Sequence, residues 1–118
     1  MSKKILLVHS DPGVSFLLKK MLHLPNIDFV IKRTYEEVAA AISNTHYDVI
    51  LTDAAINGNF LLQYIEDLKL IAPKAHIIVM SHMDQYSIKV SLEEMGVNDF
   101  ISLPVNFPKA KALISNYI

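Results

Sequence analysis

Asp53 closes the run "YDVILTD" and is the one carboxylate at the tip of an inner apolar stretch, directly before the loop "AAINGN". Two other corners carry groups that could meet it: His9, Ser10 and Asp11 in "LLVHSDPG", and Ser81 and His82 after "HIIVM". A carboxylate among hydroxyls and imidazoles can accept hydrogen bonds, pair with a protonated ring, or join a metal shell. His9, His82 and Asp53 form the kind of nitrogen and oxygen donor set that Zn²⁺ takes. A His9–Asp53 pair without metal would respond to pH near neutrality. Taken alone, Asp53 reads equally well as a helix-capping or loop-turning aspartate.

These residues meet only if the chain brings its strand ends together. Apolar runs of strand length recur at Ile5 to Val8, Phe29 to Ile31, Val49 to Leu51, Ile77 to Met80 and Phe100 to Ile101. Between them the spacing turns helical. Val14, Leu17, Leu18, Met21 and Leu22 make one stripe, Tyr35, Val38, Ala39 and Ile42 a second, and Leu61, Tyr64, Ile65 and Leu68 a third. A weaker stripe runs through Ile88, Leu92 and Met95, and a last one through Ala110, Leu113, Ile114 and Tyr117. Pro12 suits a first helical turn and Gly96 a helix C-terminus, while "LPNID" and "APKAH" are turn-rich connectors.

Five strands apolar on both faces and alternating with helices predict an α/β fold: a single (βα)5 domain over residues 1–118, doubly wound around a parallel five-stranded sheet. Such a sheet places its ligand site beyond the carboxyl ends of the strands. His9 to Asp11, Asp53 to Asn59, Ser81 to Asp84 and Leu103 to Val105 are therefore predicted to share one edge.

Composition narrows the function classes. With 118 residues, 52% of them hydrophobic, the chain is long enough for one core. Lys and Arg number 11 against 12 Asp and Glu, which provides no general electrostatic attraction to nucleic acid or to an anionic membrane. The absence of cysteine excludes disulfides and thiolate metal sites and admits a cytoplasmic location. No apolar run approaches the ~20 residues of a membrane-spanning helix. The default partner is another protein or a small ligand.

The order of elements, together with "YDVILTD", "HIIVMS" and "GVNDFISLPV", resembles the receiver domain of two-component response regulators across essentially the whole chain. That resemblance implies a flavodoxin-like sheet in the order 2-1-3-4-5. It also implies a site in which two acids after the first strand and an aspartate after the third hold Mg²⁺. The aspartate accepts a phosphoryl group from a histidine kinase, and a Ser or Thr after the fourth strand and a Lys before a proline after the fifth contact the phosphoryl oxygens. Carried over, Asp53 matches the phosphoacceptor, Ser81 the hydroxyl residue and Pro104 the proline.

The departures are as informative. The acidic pair falls on His9 and Ser10, with Asp11 at the following position, and the lysine falls on Leu103. Asn57 and Gly58 keep only the glycine of a common Pro-Gly turn. Phe100 takes the place of a switching aromatic but has no hydroxyl. Mg²⁺ prefers octahedral oxygen ligation, and only Asp53, with Asp11 a weak second, remains to supply carboxylate. Unit charges 4 Å apart interact by ~4 kcal/mol at an effective dielectric of 20, so losing both Mg²⁺ and a lysine would slow phosphoryl transfer by orders of magnitude. Because two acids and a lysine disappear together, the site stays near charge balance. It is expected to fold without metal, Mg²⁺ entering only if Asp53 is phosphorylated, with no other cofactor.

The expected function is therefore an atypical receiver that signals by protein contact, with a phospho-accepting receiver and a His9, His82 and Asp53 metal- or pH-responsive pocket as alternatives. Expected partners are a histidine kinase or an output domain, and a second copy docking through the fourth helix, fifth strand and fifth helix. Tyr86, Lys89, Glu93 and Lys109 are candidate members of that face. Whether the chain is a whole protein or one module of a longer regulator stays open. Enzymes of the same architecture fit poorly. There is no hydroxyl-rich phosphate loop, no Asp-x-His-x-x-Gly around His9, no Gly-rich phosphate cradle and no nucleophile elbow.

Overall fold

A computed structural model describes residues 3–54, 61–81 and 86–118. The elements alternate throughout: β1 (Lys3–Val8), α1 (Pro12–Met21), β2 (Ile27–Lys32), α2 (Tyr35–Asn44), β3 (Val49–Asp53), α3 (Leu61–Ile71), β4 (His76–Ser81), α4 (Tyr86–Glu94), β5 (Asp99–Ser102) and α5 (Phe107–Ser115). The strands form one parallel sheet in the order β2-β1-β3-β4-β5.

The two-faced apolar strands explain the layering. Along β1 the side chains alternate, so Leu6 and Val8 join Ile50, Ile77 and Val79 under α2, α3 and α4, whereas Ile5 and Leu7 join Leu51, Ile78 and Met80 under α1 and α5. Ile5 to Val8 are all fully buried. Val38 of α2, Tyr64, Ile65 and Leu68 of α3, and Leu92 of α4 seal the first face. Leu18 and Leu22 at α1, with Ala110 and Ile114 of α5, seal the second.

The helix boundaries have local causes. Asp11 caps α1, Thr34 caps α2 and Asn106 caps α5, each accepting backbone N–H groups of the first turn. At α2 the Glu37 carboxylate reaches back to the Arg33 N–H (3.0 Å), a near relative of the capping box. α4 stops in a Schellman turn: Gly96 N–H donates to the Glu93 carbonyl (3.0 Å) and Val97 N–H to Leu92 (3.0 Å), with Gly96 at φ 101°. A side chain on Gly96 would also strike Lys69, whose Cε lies 2.8 Å from the position a Cβ would take.

One stripe needs correcting. In α1 the buried residues are Ser15 and Leu18, continued by Leu22, while Val14, Leu17 and Met21 remain 38%, 51% and 40% exposed. Ser15 is the residue the apolar pattern missed. Its hydroxyl is satisfied at the Asp11 carbonyl (2.9 Å), so it can lie against the sheet without an unpaired polar group.

Candidate functional site

The carboxyl edge of the sheet gathers the residues singled out above. Asp53 ends the central strand β3, paired with Met80 of β4. Val8, paired with Thr52, hands the chain to His9, whose N–H extends the sheet by donating to the Lys32 carbonyl (3.1 Å). Ser81 ends β4, and Leu103 follows β5 with its N–H donating to the Ser81 carbonyl (3.1 Å). His82, Asp84, Asn57, Gly58 and Asn59 lie outside the described residues.

At the centre, His9 Nε2 stands 3.4 Å from Asp53 Oδ2, with the two side chains 17% and 18% exposed. The distance exceeds the 2.7–3.2 Å usual for an N–H···O bond, so this is a facing pair rather than a tight one. The other ring nitrogen is engaged: the Asp11 N–H donates to His9 Nδ1 at 3.0 Å.

The Asp11 side chain is engaged in capping α1. Its Oδ1 accepts from Gly13 N–H (2.8 Å) and Val14 N–H (3.1 Å). The Val14 and Gly13 N–H groups are the main cause holding its carboxyl below the usual aspartate value. Ser10 is exposed, and its carbonyl accepts from Arg33 Nε (3.2 Å). Arg33 is a cation at this rim that the sequence reading did not single out. It directly precedes the Thr34 cap of α2, and only the sheet order brings it beside the β1 end.

Below the rim lies a second pair that the reading also missed. Thr52 Oγ1 and Tyr64 Oη are 2.9 Å apart and buried, and Thr52 also donates to the Asp53 carbonyl (3.0 Å). Burial pushes the Tyr64 hydroxyl up to about 12, with the Thr52 hydrogen bond pulling against it and the Asp53 charge adding to it. Tyr35 meets the Tyr64 ring edge to face at 6.2 Å. The helical spacing marks Tyr64 only as one member of an apolar stripe.

On the β5 side, Leu103 is half-buried against the α1–α5 core and joins Pro104 through a cis peptide bond. Phe100 packs at the margin of the other core, with Lys89 Nζ 6.0 Å from its ring centre.

The sequence model of the response regulator receiver domain matches residues 5–115. The chain belongs to that family. A curated relative, the DNA-binding transcriptional regulator NtrC of Salmonella typhimurium, is 24% identical over 111 residues, covering 94% of this chain and 24% of the relative. This receiver thus spans about a quarter of the length of the curated relatives it matches. Among solved structures, a two-component response regulator from Clostridium difficile superposes with a TM-score of 0.89 at 18% identity, over 98% of this chain and 95% of that one. A protein named adenylate cyclase from Rhodopirellula baltica gives 0.87 at 23% identity, over 100% and 88%. These likenesses carry the fold. Receiver domains are signalling modules of two-component systems, and no helix among the described residues is long and apolar enough to cross a membrane.

Receiver domains bind Mg²⁺ when the aspartate is phosphorylated, and the donor set at this receiver's rim fits that ion poorly. Asp53 supplies one carboxylate and faces an imidazole, and the Asp11 oxygen that could have been a second is spent on two backbone N–H groups. Among the described residues no group of three His, Asp or Glu side chains is placed to hold a metal. Among the described residues His9 and Asp53 have no third ligand for Zn²⁺ beside them, and His82, the third member of that expected set, lies outside those residues.

Proposed function

We propose that this receiver is an atypical one, in which Asp53 is a weak or silent phosphoacceptor and signalling proceeds by protein–protein contact. The observation that carries the reading is the facing pair of His9 and Asp53 at 3.4 Å, with His9 and Ser10 read as standing for the family's metal-binding acids. Leu103 adds to it. A half-buried apolar side chain packed against the core, read as standing at the position of the family's lysine, offers no charge to a phosphoryl oxygen. Ser81 keeps its place at the end of β4 as the phosphoryl-contact residue, should Asp53 be modified. No catalytic role is assigned.

The partners of this reading are a histidine kinase or an output domain in the cytoplasm, with a second copy docking through α4, β5 and α5. On that side a cleft of about 340 Å³ is lined by Phe100, Ser102, Pro104, Lys109 and Leu113. The curated relatives are named for DNA binding, but the even charge balance of this chain, 11 basic against 12 acidic residues, favours protein contact by the receiver itself.

Incubation with acetyl phosphate and Mg²⁺, followed by intact-mass measurement, tests the reading. The expected spectrum is dominated by unmodified chain. Stoichiometric, acid-labile labelling that disappears in Asp53→Asn would establish a working phosphoacceptor and overturn it.

A further inference from the structure

The imidazole of His9 has a definite direction. A neutral histidine carries one donor and one acceptor nitrogen, and the bond made by one nitrogen decides the state of the other. The Asp11 N–H donates to His9 Nδ1 at 3.0 Å, so Nδ1 is the acceptor and the ring proton resides on Nε2, the nitrogen that faces Asp53. The clamp is itself held. The Asp11 carboxylate is tied to Gly13 and Val14, and its carbonyl accepts from the Ser15 N–H (3.0 Å) and the Ser15 hydroxyl (2.9 Å). Ser15 is buried, which anchors this corner to the sheet.

We propose that His9, locked as its Nε2–H tautomer by the Asp11 backbone, is the positioning residue that lets Asp53 stand without a metal ion, by presenting an N–H where a cation would otherwise sit. The inference rests on the reading of Asp53 as the centre of an atypical receiver site. It gives Asp11 a role too, as the residue that sets the ring rather than as a ligand. A Mg²⁺ ion needs a lone pair from each ligand and parts reluctantly with its waters. In this tautomer the face of His9 toward Asp53 offers a hydrogen instead. Admitting the ion would require the ring to turn away and surrender the Asp11 bond. An aspartate at the same place would offer oxygen.

Two measurements on the full 118-residue chain test this. Long-range ¹⁵N correlation spectra of histidine-labelled protein at neutral pH are expected to show His9 with an unprotonated Nδ1 and a protonated Nε2. An Nδ1–H pattern, or a doubly protonated ring, would overturn the proposal. This readout needs neither a variant nor a phosphoryl donor, so its failure is distinct from failure of the labelling test above. Mg²⁺ titrations followed at the Ala54 amide provide the second arm. His9→Asp is expected to tighten Mg²⁺ binding roughly 10–100-fold over wild type, the range by which a change beside a metal moves its affinity. His9→Gln, which brings a neutral amide and no carboxylate, is expected to bind Mg²⁺ clearly more weakly than His9→Asp. Equal Mg²⁺ affinity in wild type and a folded His9→Asp would show that His9 does not exclude the ion.

Discussion

The rim and the floor of the Asp53 site are built to different standards. At the rim, His9 and Asp53 face each other across 3.4 Å and remain in touch with water, and Arg33 reaches a carbonyl of exposed Ser10. One layer down, Thr52 and Tyr64 share a buried hydrogen bond of 2.9 Å between the sheet and α3. Exposed or loosely paired polar groups contribute little to stability, because water competes for them. A buried polar pair is costly to break, because whatever remains has no solvent to turn to. The difference implies that substitutions at the floor destabilise the domain, whereas those at the rim change its chemistry and leave the fold standing.

The largest break in that comparison is Tyr64→Ala. Tyr64 is 1% exposed, and truncating a buried aromatic to alanine costs about 3–5 kcal/mol through lost contacts and the cavity left behind. Thr52 would also lose its partner. Urea unfolding of the variant should move the midpoint sharply downward, and a shift no larger than that of a surface variant would show that the Thr52–Tyr64 floor is not structural.

Alkaline pH probes the same floor without truncation. The Tyr64 hydroxyl ionises near 12 in the fold and near 10 in the unfolded chain, so both states hold the proton below pH 10 and its stabilisation is complete there. Above pH 10 the unfolded chain releases its proton first, and stability falls until the folded phenol ionises as well. A gap of two units is worth on the order of 2–3 kcal/mol at 1.36 kcal/mol per unit. Tyr35, Tyr47 and Tyr117 are also raised, chiefly by burial, so the comparison must be differential. Tyr64→Phe is expected to lose about 1–2 kcal/mol at neutral pH for the missing hydrogen bond and to decline less steeply between pH 10 and 12. Parallel alkaline slopes would remove Tyr64 from the account.

The floor and the rim were also unequally legible in the sequence. The sheet and its winding followed from period: five doubly apolar runs leave little choice but a covered parallel sheet, and the ends of β1, β3, β4 and β5 then had to share an edge. Asp53 and His9 could be placed together for that reason. What period does not encode is which polar atom turns inward. Ser15 lies buried on the docking face of α1 while Leu17 stays exposed, because the Asp11 carbonyl satisfies its hydroxyl. Tyr64 fits an apolar stripe by its ring, and its hydroxyl finds Thr52 only once α3 is packed on β3. Arg33 reaches Ser10 through the pairing of β1 with β2, a contact between residues 23 positions apart. Asp11 reads only as a weak ligand candidate by its type, whereas the geometry found is the cap of α1, a role that its place before Pro12 and Gly13 could have signalled.

The smallest stability effect belongs to the rim, and that smallness is the point. His9→Ala removes a contact longer than an ordinary hydrogen bond between two partly solvated groups, and the freed Asp53 oxygen can turn to water. Its expected cost is below about 1 kcal/mol, so the thermal midpoint should stay close to wild type. The chemical change should be much larger. Asp53 would lose the imidazole beside it, and access of small cations to its carboxylate would widen, which Mg²⁺-induced shifts of the Ala54 amide can follow in the same sample. A large loss of stability in His9→Ala would place His9 with the floor and dissolve the distinction between the two layers. Preserved stability with altered cation response would mean that this receiver's fold does not depend on His9, leaving that residue free to define what Asp53 can do.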